Sequence, residues 1–355
     1  MRLIYYRFFF ATSSILLSIV GFSKDVSDST DKLLHIPFYQ SLSDSLTLRL
    51  LVVDRFNSFE IQDYRTDENV SFKPNSNLRL GFGFNYKKVG LNILFNVPNV
   101  SIGNGSGESK YFDFNLTHYG RKFGFDIAYN RYSGYYWSNP QNILPQYDSE
   151  LQGYPVRPDL NTGILAVSGY FNINHKKFSY LSSFAQNERQ LISAGSPIIG
   201  AYANVFGLSS SDSATVLPRS VIPPDEPELY FHDDLHFKSI ETRNVGLSAG
   251  YIYSFIIKRN FFITLSLQMG MGIESTDVIY YQQPTKYLDG YNIFGVSRAA
   301  MGYNGPLYYI GLSAYTTNFL TGSTDNLNVQ YNLGSIRLVL ARRFSAGFIR
   351  KMFKK

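Results

Sequence analysis

Residues 77–97 read NLRLGFGFNYKKVGLNILFNV. Leu78, Leu80, Phe82, Phe84 and Tyr86 fall in one phase of a period of two, while Arg79, Gly81, Gly83 and Asn85 fall in the other. Successive side chains of a strand point to opposite faces, so the pattern predicts a strand and excludes a helix. It resumes after Lys87 and Lys88 with Val89, Leu91, Ile93, Phe95 and Val97, set against Gly90, Asn92, Leu94 and Asn96. A two-residue turn at the lysines places Tyr86 opposite Val89, Phe84 opposite Leu91, Phe82 opposite Ile93, Leu80 opposite Phe95 and Leu78 opposite Val97. A ribbon with one apolar face suits a soluble sandwich as well as a wall in lipid, so the rest of the chain must decide which.

Two further hairpins repeat the pattern. In KYFDFNLTHYGRKFGFDIAYN, a connection over 119–122 sets Leu116 against Phe125, Phe114 against Ile127 and Phe112 against Tyr129, with Asp113, Asn115, Asp126 and Asn130 on the opposite face. In SAGYIYSFIIKRNFFITLSLQMGM, a turn at Lys258, Arg259 and Asn260 pairs Phe255 with Ile263, Tyr253 with Leu265, Tyr251 with Leu267 and Ala249 with Met269. A looser pair around Asn174 to Lys177 joins 165–171 to 178–184, its apolar face interrupted by Gly169 and Ser182. The four turns carry Lys87, Lys88, Arg121, Lys122, Lys176, Lys177, Lys258 and Arg259 and no acid. The intervening loops, 61–76, 98–109, 138–161, 189–239, 275–290 and 321–327, are longer and hold sixteen Asp or Glu against seven Lys or Arg. A sandwich has no reason to sort its connections by length and charge. An outer-membrane barrel does, with short periplasmic turns, long extracellular loops and strands of about 10 residues.

The chain opens MRLIYYRFFFATSSILLSIVGFSKD, with Arg2 and Arg7 ahead of an apolar run and small residues before Lys24, which predicts a secretory signal peptide over 1–23. No cysteine occurs, so neither a disulfide framework nor a lipoprotein anchor is available. No later stretch approaches the ~18 consecutive apolar residues of a membrane helix, so any span must be β. Charged residues are 17% and aromatics 16% of the chain, the first below the ~25% usual in soluble domains and the second suited to interfacial belts. The net charge of +6 is carried largely by the two termini, and nucleic-acid binding is not indicated.

The predicted fold is therefore all-β, an antiparallel transmembrane barrel of about twelve strands, with ten or fourteen as alternatives. The strands are expected at 46–56, 77–86, 89–97, 110–118, 123–136, 162–173, 178–188, 240–257, 261–273, 291–303, 307–320 and 328–344. Residues 191–210 are left out of the wall, because adding them alone would invert every later turn. A periplasmic segment 24–45 precedes the barrel, 46–344, and a basic tail, 345–355, follows it. Leu80, Phe82, Phe84, Leu91, Ile93, Phe114, Ile127, Phe255, Ile263 and Leu265 are expected to face lipid. Arg79, Asn85, Asn92, Asp113, Asp126, Arg298 and Arg337 are expected to face the lumen.

LTLRLLVVDRFNSFEIQD, SFKPNSNLRLGFGFNYKKVGLNILFNVP, FSYLSSFAQNERQLISAGS and GSIRLVLARRF resemble the family of exported bacterial proteins catalogued as domain of unknown function 4421, over about residues 45–344. The resemblance implies an outer-membrane β-barrel of unassigned activity and supplies no catalytic residue. Ile336, Leu338, Leu340 and Phe344 resemble the C-terminal signal of inserted barrels, although Arg342 interrupts the phase and a basic tail follows.

No catalytic, cofactor or metal residue emerges. Outer-membrane phospholipases place a catalytic His two residues before a Ser, and none of His35, His118, His175, His232 and His236 has one there. His232, Asp233, Asp234 and His236 are the densest metal-capable group but read as a solvated acidic loop, as do Asp225, Glu226 and Glu228 among their prolines. The inward charges can line a pore or pair into a packed polar core. The expected partners are outer-membrane lipid and, during insertion, the barrel-assembly machinery. The favoured activity is a pore or uptake barrel for a small polar solute, since the inward Gly81, Gly83, Gly90, Ser266 and Gly270 leave room. The alternative is a non-transporting scaffold or surface-binding barrel acting through its loops.

Overall fold

The computed structural model describes residues 37–63, 69–86, 89–101, 107–210, 215–216, 236–280, 284–321 and 327–345. The expected signal peptide and most of the basic tail lie outside these residues, as do the loop residues Asp225, Glu226, Glu228 and His232 to Asp234. The described strands are β1 (Tyr39–Ser41), β2 (Leu46–Asp63), β3 (Asn69–Lys73), β4 (Asn77–Tyr86), β5 (Val89–Ser101), β6 (Lys110–Tyr119), β7 (Phe123–Trp137), β8 (Val156–Asn172), β9 (Glu188–Gln190), β10 (Ala194–Ser210), β11 (Phe237–Ile257), β12 (Phe261–Tyr280), β13 (Lys286–Asn304), β14 (Tyr308–Thr321) and β15 (Leu327–Phe344).

Every pairing is antiparallel, and the wall closes where β15 pairs with β2 from Leu327↔Asp63 to Phe344↔Leu46. The closed ring runs β2, β15, β14, β13, β12, β11, β10, β8, β7 and, through short bridges on both sides, β3. It is thus a ring of ten strands with extra strands attached, in place of the twelve expected. β4 and β5 hang from the lower half of β2, with Thr47↔Asn85 to Val53↔Arg79, and β6 hangs from β7. No ladder joins β5 to β6 among the described residues.

The segment 178–188 is not a wall strand, and 194–210 is. In 178–188 the Ser182 hydroxyl donates to the Ser179 carbonyl at 2.8 Å, the kind of local bond that competes with a ladder. β10 carries no period-two signal, because Ile198, Tyr202, Phe206 and Leu208 are buried on its inner face while Ile199 and Val205 are exposed on its outer one. With both faces apolar, the alternation that marks a half-buried strand vanishes. Since one strand replaces another, the connections 87–88, 120–122, 173–193 and 258–260 stay at one end of the barrel, the end set by Leu46↔Phe344, Phe123↔Phe171 and Phe261↔Tyr303.

The hairpin at Lys258 has the expected register throughout, from Phe255↔Ile263 to Ala249↔Met269. The first hairpin also pairs as expected from Tyr86↔Val89 to Leu80↔Phe95, beyond which a bulge moves Asn77 opposite Ser101 and removes the Leu78–Val97 pair. The β6–β7 hairpin is shifted by two residues, to Leu116↔Ile127, Phe114↔Tyr129 and Phe112↔Arg131. His118 then stacks on Phe125, with ring centroids 5.3 Å apart, and an even slip leaves every side chain on its own face.

The outward phase forms an apolar band around the wall. On β12 it runs unbroken through Phe261, Ile263, Leu265, Leu267, Met269, Met271 and Ile273 before Ser275 and Asp277. At a rise of ~3.3 Å per residue and a tilt of ~40°, that stretch is roughly 30 Å tall, close to the ~25 Å apolar band of a membrane barrel. A wall that closes on itself and carries a continuous apolar girdle belongs in a bilayer that accepts β-barrels, the outer membrane of a Gram-negative bacterium.

Candidate functional site: the barrel interior

The inward phase fills the lumen in three layers. At the end of the basic turns, the connection between β8 and β10 folds into the barrel as a plug. Residues 178–190 include one π-helical turn, Leu181–Ala185, and β9, which pairs with β1, so Tyr39–Ser41 joins the plug. Phe178 and Tyr180 are fully buried. Wall strands grip the plug by its backbone: Asn85 donates to the Ala185 carbonyl (2.6 Å), Asn304 to the Ser182 carbonyl (2.9 Å) and Tyr309 to the Ser183 carbonyl (3.1 Å). Gln186 closes the turn at φ 60°, a left-handed conformation that a non-glycine residue adopts only when held. Arg49 of β2 donates to its side-chain oxygen at 3.2 Å, and Arg343 of β15 to its carbonyl at 3.0 Å. At the rim, Arg121 pairs with the buried Glu188 of the plug at 2.8 Å, and that hydrogen bond raises the guanidinium pKa.

The opposite end is closed by aromatic rings that meet across the lumen. Phe206 of β10 stacks on Tyr331 of β15 at 4.1 Å, Tyr202 on Phe294 at 4.1 Å, and Phe319 touches both Tyr331 and Phe294. Phe59, Phe72 and Tyr135 continue the cluster. Such pairs contribute about 0.5–1.5 kcal/mol each beyond their area, so this layer is a core and not a lining. A bulge between Ser133 and Tyr135 sends Tyr135 and Trp137 into it by changing the phase of β7. Gly134 sits there at φ 84°, where a Cβ would lie 2.4 Å from the Glu108 carbonyl oxygen, so only glycine fits.

Between plug and aromatic layer lies a charged belt. Arg298 donates to Asp126 at 2.8 Å and lies over the rings of Tyr170 and Tyr315. Arg79 pairs with Asp113 at 2.6 Å and lies over Tyr111, Arg55 approaches Asp113 at 3.6 Å, and Tyr132 donates to it at 3.0 Å. Arg337 donates to the Ser335 hydroxyl at 3.2 Å and has no acidic partner among the described residues.

Of the residues expected in the lumen, Arg79, Asp113, Asp126, Arg298 and Arg337 come together in this belt and Asn85 holds the plug. Asn92 stands apart, exposed on β5. Leu80, Phe82, Phe84, Leu91, Ile93 and Phe114 are exposed on the outer wall, and Ile127, Phe255, Ile263 and Leu265 are half-buried there. The small inward residues do not leave the room their size suggests. Tyr170 lies over Gly124, whose Cβ would be 2.2 Å from its ring, and Tyr202 covers both Gly246 and Gly270. Rings on one strand occupy the hollows of the next. The plug residues and the arginine grips Arg49 and Arg343 are not among the candidates the sequence offers. A signal lies in 178–185, where three serines break an otherwise apolar comb, followed by the polar run Gln186 to Gln190.

The family described as domain of unknown function 4421 matches residues 27–344, a span that includes every described strand. The chain belongs to this family. No curated protein matches it. Among solved structures, this DUF4421 barrel is similar to the outer membrane protease OmpT of Escherichia coli at 8% identity and a TM-score of 0.37, over 86% of this chain and 98% of that one. It is also similar to the toluene transporter TodX of P. putida at 7% identity and a TM-score of 0.22, over 85% of this chain and 91% of that one.

Proposed function

We propose that this DUF4421 protein is a plugged outer-membrane barrel that does not conduct along its axis and acts as a scaffold or surface-binding protein through its long loops. One observation carries the reading: two unrelated fillings, the hydrogen-bonded plug and the stacked aromatic layer, occupy opposite ends of the same lumen. A pore for a small polar solute is the weaker reading, because Tyr170 and Tyr202 take the space over the inward glycines and both fillings would have to leave. The reading is non-catalytic, in keeping with His118 stacked on Phe125 and His175 beside Phe171. Planar-bilayer recordings test it. Purified protein is expected to give no conductance steps; steady steps from the native chain would overturn the proposal.

A further inference from the structure

The belt and the seam between β5 and β6 point to a binding site that the plugged-barrel reading does not include. The belt holds four guanidinium groups, Arg55, Arg79, Arg298 and Arg337, against two carboxylates bonded to them, Asp113 and Asp126; with the charges of Asp54 near Arg79 and Arg49 near Arg337 included, the excess is still two cations. Register places the four in one zone: Arg298 stands opposite Tyr315, Tyr315 opposite Ser335 and Ser335 opposite Arg55, while Arg337 stands opposite Val53 and Val53 opposite Arg79. The side chain of Arg298 is 2% exposed, and its Nε and Nη1 have no hydrogen-bond partner among the described residues. Buried cations in excess of their counterions are strongly destabilising unless something anionic joins them.

The seam supplies the way in. Above the belt, the residues ahead of β6 are held to the β3–β4 connection by Asn75, whose backbone N–H donates to the Ser109 hydroxyl at 2.7 Å and whose side chain donates to the Gly107 carbonyl at 2.8 Å. Within the belt the Arg79–Asp113 pair reaches from β4 to β6 behind β5. Below it no ladder joins the two strands among the described residues, the plug lying behind them with Phe184 stacked on Tyr119 of β6 and packed in one cluster with Leu94 of β5, and the inward Asn92, Asn115 and Thr117 are exposed. The seam lies at the depth of the apolar band, flanked by Leu91, Ile93, Phe114 and Leu116. Strand edges facing lipid leave backbone donors and acceptors unpaired, an arrangement hydrocarbon alone does not stabilise. A polar head group between apolar tails satisfies both the edges and the guanidinium excess.

We propose that the belt is a binding site for the anionic head group, phosphate or carboxylate, of a membrane amphipath that enters sideways between β5 and β6 with its tails left in the bilayer. Arg337 and Arg298 are its binding residues, planar guanidinium forks suited to bidentate contact with such groups. The test is native mass spectrometry of the full-length protein in non-ionic detergent, with phosphatidylglycerol, phosphatidylcholine and inorganic phosphate as separate probes. One retained phosphatidylglycerol is expected, with retention at least tenfold lower for Arg337→Gln and only partly restored by Arg337→Lys, which keeps the charge and loses the fork. Because the chain has no cysteine, Asn92→Cys with Asn115→Cys can be bridged by a short bis-maleimide before lipid is added, leaving every charge in place. Bridging is expected to abolish uptake. Equal retention of phosphatidylcholine, saturation by inorganic phosphate without lipid, indifference to Arg337→Gln, or uptake through the bridged seam would each overturn the proposal. None of these results bears on conductance, so the two readings fail separately.

Discussion

Replacing Asp126 by Asn strips the counterion from Arg298 while leaving its shape and much of its hydrogen bonding. The two groups are 2.8 Å apart, with side chains 2% and 16% exposed. At an effective dielectric of ~20 their attraction is about 332/(20 × 2.8), or roughly 6 kcal/mol. Part of this is returned, because Arg298 keeps the rings of Tyr170 and Tyr315 at 5.7 and 5.3 Å, worth about 1–2 kcal/mol when desolvated. Breaking a buried pair from one side costs about 3–5 kcal/mol, and the rings place this case near the lower end. Removing both charges with Asp126→Asn and Arg298→Met leaves no stranded cation, so the double variant is expected to be about 2–3 kcal/mol more stable than the sum of the single losses. Urea unfolding in liposomes, followed by fluorescence of the single tryptophan, Trp137, reads this directly, since that residue is fully buried in the aromatic layer. A loss below about 1 kcal/mol for Asp126→Asn, or simple additivity in the double variant, would refute the account of the belt as a coupled, desolvated network.

Gly124→Ala places a methyl group 2.2 Å from the Tyr170 ring and is expected to destabilise by about 1–3 kcal/mol in the same assay, and Tyr170→Leu in that background should recover part of the loss. Native stability in the alanine variant would mean the rings are not seated on their neighbours. A cysteine at Leu151, exposed in the connection between β7 and β8, is expected to react with an impermeant maleimide on intact cells, whereas one at Lys122 should react only after the envelope is opened. The reverse pattern would invert the barrel.

The outer surface of this protein is written plainly in its sequence, because lipid imposes one requirement on every outward residue and the combs of β4, β12 and β15 repeat it. Its interior is harder to read. Tyr202, Phe206 and Ile198 face inward on β10 opposite equally apolar outward neighbours, so the contrast that a periodicity argument needs is missing. The belt was half legible: Arg79, Asp113, Asp126, Arg298 and Arg337 fall in polar phases of their strands, which fixes their direction. Their partners are set by contacts across the lumen, such as Asp126 with Arg298, and no local pattern encodes a meeting of residues 172 positions apart. Plug and wall are alike in sequence for a related reason. Both 178–188 and 194–210 carry strand-like residues, and only the pairing of Asn172 with Ile198 shows which one continues the wall.

That pairing also ties the filling to the wall. β8 and β10 are neighbours, and the residues that join them at one barrel end fold inward, so the plug is tethered at both of its ends to the rim it closes. It also reaches the two margins of the sheet that meet when the wall closes. Those margins are β2 and β15, and Gln186 takes one arginine from each, Arg49 and Arg343. The plug thus works as a clasp: the two lips of the closing seam hold the same glutamine, so parting them means releasing it.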